Sequence, residues 1–141
     1  MPPKAAHLRR LLRLEKVRAI ARQAAAAEAA EAEGTLAQLE ALLARTSQLA
    51  GAYRPGPTLP DGLALRHLGA FVSGLDKVVA ATRGDAERAR QIADRKQLDL
   101  ARAERSRAAV EDRAEASRRA LEQAHQKPVL GARRAVGTDL E

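Results

Sequence analysis

The sequence predicts an all-α protein, a long antiparallel two-helix coiled-coil hairpin with a disordered C-terminal tail, and three observations carry that prediction. Aromatic side chains are nearly absent, with one Tyr, one Phe and no Trp among 141 residues, so little of the bulk that fills a globular core is available. Ala, Leu, Glu, Arg, Lys and Gln dominate, and these residues lose least on entering a helix. Apolar residues recur at alternating three- and four-residue steps, interrupted once by a proline and glycine cluster.

Residues 1–6 precede the periodic pattern and are expected to be disordered. Helix 1 is expected over 7–52, with an apolar line of Leu14, Val17, Ala21, Ala25, Ala29, Ala32, Leu36, Leu39, Leu43, Thr46, Ala50 and Tyr53. One extra four-residue step near Ala25 reads as a stutter. The small residues at 24–32 allow close approach but bury little, so the seam is expected to be weakest there.

The segment 53–62, Tyr53-Arg54-Pro55-Gly56-Pro57-Thr58-Leu59-Pro60-Asp61-Gly62, holds three prolines and two glycines. Proline locks φ and removes a donor, so this stretch is a turn, with Asp61 as the N-cap of the second helix. Helix 2 is expected over 63–126. Its three-and-four frame runs from Leu65 through Leu68, Val72, Leu75, Val79, Thr82, Ala86, Ala89, Ala93, Lys96, Leu100, Ala103, Arg107, Val110, Ala114, Ser117 and Leu121 to Ala124, and only Lys96 and Arg107 are charged. An unbroken repeat of about 3.5 residues is the signature of a left-handed coiled coil. Flanking charges are spaced to pair along the helix as Arg90 with Asp94, Arg95 with Asp99, Arg107 with Glu111 and Glu115 with Arg119, each worth a few tenths of a kcal/mol. Gly84 marks a soft point inside this helix. The tail 127–141 shows no period and is expected to be disordered.

The net charge of +7 is unevenly spread. Residues 1–22 carry seven Lys/Arg against Glu15, a balance of +6, whereas 23–52 carry Arg45 against four glutamates, a balance of −3. From 85 to 126 ten Lys/Arg face nine Asp/Glu, which reads as a solvated, ion-paired helix surface rather than a phosphate-binding groove. No aromatics interleave those charges to stack bases, so nucleic-acid binding is disfavoured. No apolar run approaches the roughly 18 residues of a spanning helix, and no cysteine is present. A cytoplasmic location fits best.

Catalysis finds no foothold. His7, His67 and His125 are too far apart in sequence to share a metal on one helix turn. Neither a Walker loop nor a nucleophile elbow occurs. No enzyme activity and no cofactor are expected.

The candidate site is a surface. Beside the seam line of helix 2 runs a second line, Phe71, Leu75, Val78 and Thr82, and beside that of helix 1 run Leu42, Thr46, Leu49 and Tyr53. A two-stranded seam needs only its a and d positions, so the added residues stay exposed unless a third body covers them. The alternatives are a broad shoulder that seals the hairpin against itself, or an oligomer interface.

The order of features along 8–124 resembles the FliJ family of flagellar type III export proteins. The resemblance rests on a basic Leu-Leu-Arg-Leu start, an Ala/Glu-rich stretch, Leu36-x-x-Leu39, Tyr53-Arg54 closing helix 1, and Phe71-x-x-x-Leu75 with Val78 and Thr82. It implies an antiparallel coiled-coil stalk inside the ring of a FliI/FliH-like export ATPase complex. Such a stalk contacts an FlhA-like export gate protein, escorts export chaperones and sits peripherally at the inner-membrane export apparatus. By position, the gate contact falls on Tyr53, Phe71, Leu75, Val78 and Thr82, joined by Leu42, Thr46 and Leu49. The ATPase contact falls on the paired termini, at Arg9, Arg10, Arg13, Arg18, Arg118 and Arg119. A structural or adaptor coiled coil, or the corresponding stalk of a virulence type III secretion system, is the alternative reading.

Overall fold

The computed structural model describes residues 3–53 and 62–138, with side chains described at 4–53 and 62–126. Two helices are present, α1 (Pro3–Ala52) and α2 (Gly62–Thr138), packed against each other in antiparallel fashion. Of the expected turn only Tyr53 and Gly62 fall within the described residues, and the expected capping by Asp61 lies outside them. The helix starts earlier than expected: residues 3–6, expected to be disordered, are helical. Proline suits a helix start, because its missing N–H is one that a helix leaves unpaired there anyway. α2 runs on past 126 to Thr138. Of the expected tail 127–141, the side chains and the last three residues lie outside the described ones.

The chain divides into two compact units, a central one from Ala26 to Asp99 and a terminal one combining residues up to Ala25 with those from Leu100 onward. In the central unit, cross-helix contacts fix the antiparallel register. Lys96 Nζ donates to Glu28 Oε2 at 3.1 Å, Gln97 to Glu33 at 3.5 Å, and Arg90 to Glu40 at 2.7 Å. In the terminal unit the equivalent contact is Arg22 with Glu104 at 3.8 Å.

The frame of α2 is the expected one. Every position from Leu68 to Ala124 in the three-and-four series is buried or half-buried, and only Leu65 at its start is exposed. Most of the fully buried side chains are alanines, with Ala93 1% and Ala29 2% exposed. A seam of methyl groups lets the helices come close, but each contributes little apolar area, so stability comes from the number of layers rather than from any one.

The frame of α1 corrects the expected one. From Leu36 toward the N-terminus a three-and-four series without a stutter passes through Ala32, Ala29, Ala25, Arg22, Arg18, Glu15, Leu11 and Leu8. Leu11 is buried and Leu8, Glu15 and Ala25 are half-buried, while Arg18 and Arg22 lie exposed at the margin of the seam, beside half-buried Ala19 and Ala26. Leu14, Val17 and Ala21, which the sequence places in the seam, are all exposed. Choosing the more apolar line forced the stutter. The packed line is more polar because its partner segment on α2 carries Glu104 and Arg107, and Arg22 lies beside Glu104. Arg107 is half-buried there, its Nε without a hydrogen-bond partner among the described residues.

The ion pairs also differ from expectation. Of the four expected along α2, only Glu115 with Arg119 forms, at 3.3 Å, and Glu115 also holds Arg118 at 3.7 Å. Arg90 turns across the seam to Glu40 instead of along the helix to Asp94. A neighbouring helix offers a carboxylate at the same reach as the next turn, and spacing along one helix cannot reveal it.

Candidate partner-binding edge

An antiparallel seam has two edges, and the frame assigns every flanking residue to one of them. Residues just after a d position, the e positions, meet across one edge, and residues just before an a position, the g positions, line the other. The observed contacts agree. Glu40 and Arg90, like Glu33 and Gln97, are e positions on opposite helices. On the other edge Thr35 and Ile92, both g positions, line one shallow groove together with Lys96 and Glu28.

Near the turn the two edges of the central unit differ in chemistry. The e edge carries Ser47 of α1 with Asp76 and Arg83 of α2, which share a groove. The g edge carries Leu42 and Leu49 of α1 with Phe71 and Val78 of α2, two pairs at heptad spacing on facing helices. Tyr53, at the next d position, closes that edge. Its ring meets Phe71 edge-to-face, with centroids 5.3 Å apart and planes at 84°, an arrangement that aromatic quadrupoles favour. The Tyr53 backbone N–H donates to Leu49 O at 3.1 Å, so its backbone continues the last turn of α1.

These apolar residues are not sealed by the hairpin. Phe71 is 50% exposed and Tyr53 47%, and Leu42, Leu49 and Val78 are similarly open. Leu75 and Thr46 are half-buried members of the seam. Thr82 is only 6% exposed, and its hydroxyl donates to Val78 O at 2.8 Å, as Thr46 donates to Leu42 O at 2.8 Å. The structure thus gathers Leu42, Leu49, Tyr53, Phe71 and Val78 on one surface, over Leu75 and Thr46, and withdraws Thr82 from it. Helical spacing revealed the second apolar line. It did not reveal that the lines of both helices share one edge, which follows only once the antiparallel frame is fixed.

The six arginines of the expected ATPase contact are not gathered in the same way. Arg9, Arg10, Arg13 and Arg18 occupy four different positions around α1, while Arg118 and Arg119 are both drawn to Glu115 of their own helix. Among the described residues, Arg90 is the one titratable group displaced from its ordinary pKa. Its pKa is raised, first by its hydrogen bond to Glu40 and then by the charge of that carboxylate. Among the described residues no group of three His, Cys, Asp or Glu side chains is placed to hold a metal, and no helix is long and apolar enough to cross a membrane. Compared with family models, with curated proteins and with solved structures, the chain finds no match.

Proposed function

We propose that the chain is a non-enzymatic coiled-coil stalk of a flagellar type III export apparatus, coupling an export ATPase ring to an FlhA-like gate protein and escorting export chaperones. In this reading it acts in the cytoplasm, at the membrane-bound apparatus but not in the bilayer. The observation that carries the reading is the one-sided apolar edge beside the turn, Leu42, Leu49, Tyr53, Phe71 and Val78. It falls where the resemblance to the FliJ family puts the gate contact. Large side chains half open to water on one edge, opposite a polar edge, suit a partner that covers them and buries aromatic anchors.

The test is binding of the purified chain to an FlhA-like cytoplasmic domain. Phe71→Ala and Tyr53→Asp should each weaken it by about tenfold or more, the scale of an interface anchor, with helicity by circular dichroism unchanged. Arg83→Ala on the opposite edge should leave it unaltered. So should Thr82→Val, since that side chain is buried. Wild-type binding by the Phe71 and Tyr53 variants would sink the gate assignment. A stable dimer in sedimentation, lost on Phe71→Ala, would favour the adaptor reading, because the heptad spacing of the exposed edge also suits a second copy.

A further inference from the structure

The terminal unit sorts its charges by edge. On the e edge, Arg9, Lys16 and Arg22 of α1 share the seam's flank with Glu104, Glu111 and Glu115 of α2, and Arg22 lies beside Glu104. The g edge is different. Its d, g and c positions hold Lys4, His7, Arg10 and Arg18 on α1 and Arg102 and Arg113 on α2, without one Asp or Glu among the described residues of either helix. The basic excess of the N-terminal segment is therefore balanced on one side and uncompensated on the other.

That uncompensated side is also concave and partly apolar. A groove of about 560 Å³ opens between Lys4, His7 and Arg113, with Leu11, Ala116 and Ala120 in its floor. Leu14 and Val17 continue the same side of α1 and stand 37% and 59% exposed. They are the residues that the sequence places in the seam and the structure leaves out of it. A hairpin that needed only its own seam would gain nothing from apolar residues there.

We propose that this groove receives an acidic amphipathic helix from a partner protein, its apolar stripe on Leu11, Leu14 and Val17 and its flanking carboxylates on Lys4, Arg18 and Arg113. Charge complementarity selects an acidic occupant, since every charged group on the edge has one sign. Leu11, Leu14 and Val17, at successive three-residue steps along one side of α1, form a stripe that selects a helix, whose apolar side chains repeat at similar intervals. A nucleic acid would use the cations but not the floor, and the unit's described residues include no Phe, Tyr or Trp ring for bases to stack on. The inference stands on different residues from the turn-side edge and does not depend on the export reading.

The experiment uses the full chain and a fluorescein-labelled synthetic peptide about three heptads long, with Leu at its a and d positions and Glu flanking them. A second peptide has Lys in place of Glu. Fluorescence anisotropy should show binding of the Glu peptide and none of the Lys peptide. The double variant Lys4→Glu/Arg113→Glu should weaken binding by more than about tenfold, because like charges then face each other. Val17→Glu should weaken it as well. Arg9→Glu/Lys16→Glu, on the other edge, should stay within about twofold of the wild type. All of these side chains are exposed, and circular dichroism confirms that the helices persist. Failure of the Glu peptide to bind, or equal loss from both double variants, would overturn the proposal. Displacement of the peptide by an equal charge concentration of duplex DNA, or tighter binding to phosphatidylglycerol vesicles, would overturn it in favour of a general polyanion or membrane surface.

Discussion

On the e edge of the central unit Arg90 reaches Glu40 at 2.7 Å and Gln97 reaches Glu33 at 3.5 Å, whereas on the g edge Phe71, Val78, Leu42 and Leu49 stay about half open. Both edges flank the same alanine-rich seam, and both follow the same heptad. The difference lies in what water does for each. Solvent already satisfies the charges of the e edge, so their pairing adds little and asks for no further partner. Water cannot satisfy the side chains of the g edge, and an uncovered apolar surface on a facing pair of helices is favourable only when something buries it. Within the central unit, then, the polar edge is complete in itself and the apolar edge is not.

The largest effect should come from breaking the seam that both edges share. Ala93 is 1% exposed, and the nearest cations along its helix, Arg90 and Lys96, are engaged by Glu40 and Glu28 of α1. Ala93→Asp would therefore bury a carboxylate without a free partner and should cost about 2–3 kcal/mol or more. Thermal unfolding by circular dichroism should show a clear fall in Tm, and an unchanged Tm would mean that the alanine seam is not the core.

A smaller effect separates an edge that awaits a partner from a shoulder that seals the hairpin. If Phe71 and Val78 were internal packing, removing them would cost several kcal/mol. Half open as they are, Phe71→Ser with Val78→Ser should cost about 1 kcal/mol or less per residue in the isolated chain. Chemical denaturation gives the number, and a loss on the scale of a core substitution would turn the edge into a shoulder.

Much of this was legible in the residues alone, and the reasons are specific. The frame of α2 was readable because Leu68, Val72, Leu75 and Val79 supply large apolar markers that no other frame accounts for. The frame of α1 was misread between Leu14 and Ala21 because there the more apolar line is the exposed one. A hydrophobic pattern reports burial only when the partner helix is apolar at the same level, and Glu104 and Arg107 are not. The candidate edge was half legible. Spacing showed a second apolar line on each helix, but whether two such lines meet depends on the antiparallel register, which no single helix contains. That register also demotes Thr82, which spacing alone could not distinguish from its exposed neighbours. Lys96 was visible as an oddity in the seam, and its reason, Glu28 at 3.1 Å, lies on the other helix.

The smallest effect belongs to the e edge itself. Glu40→Gln and Arg90→Gln, alone and together, form a double-mutant cycle on a pair whose side chains are both largely in water. The coupling should be weakly favourable at low salt and should fade as ionic strength rises toward molar, where the screening length is about 3 Å. Salt rather than pH is the useful lever. The raised pKa of Arg90 means that its linked stability is present throughout the neutral range and is lost only as pH climbs through that raised value, in strongly alkaline solution. A coupling that survives molar salt would show that Glu40 and Arg90 form a rigid, partly desolvated clamp. The e edge would then be a structural element in its own right, and the contrast between a solvated edge and an unfinished one would fail on its polar side.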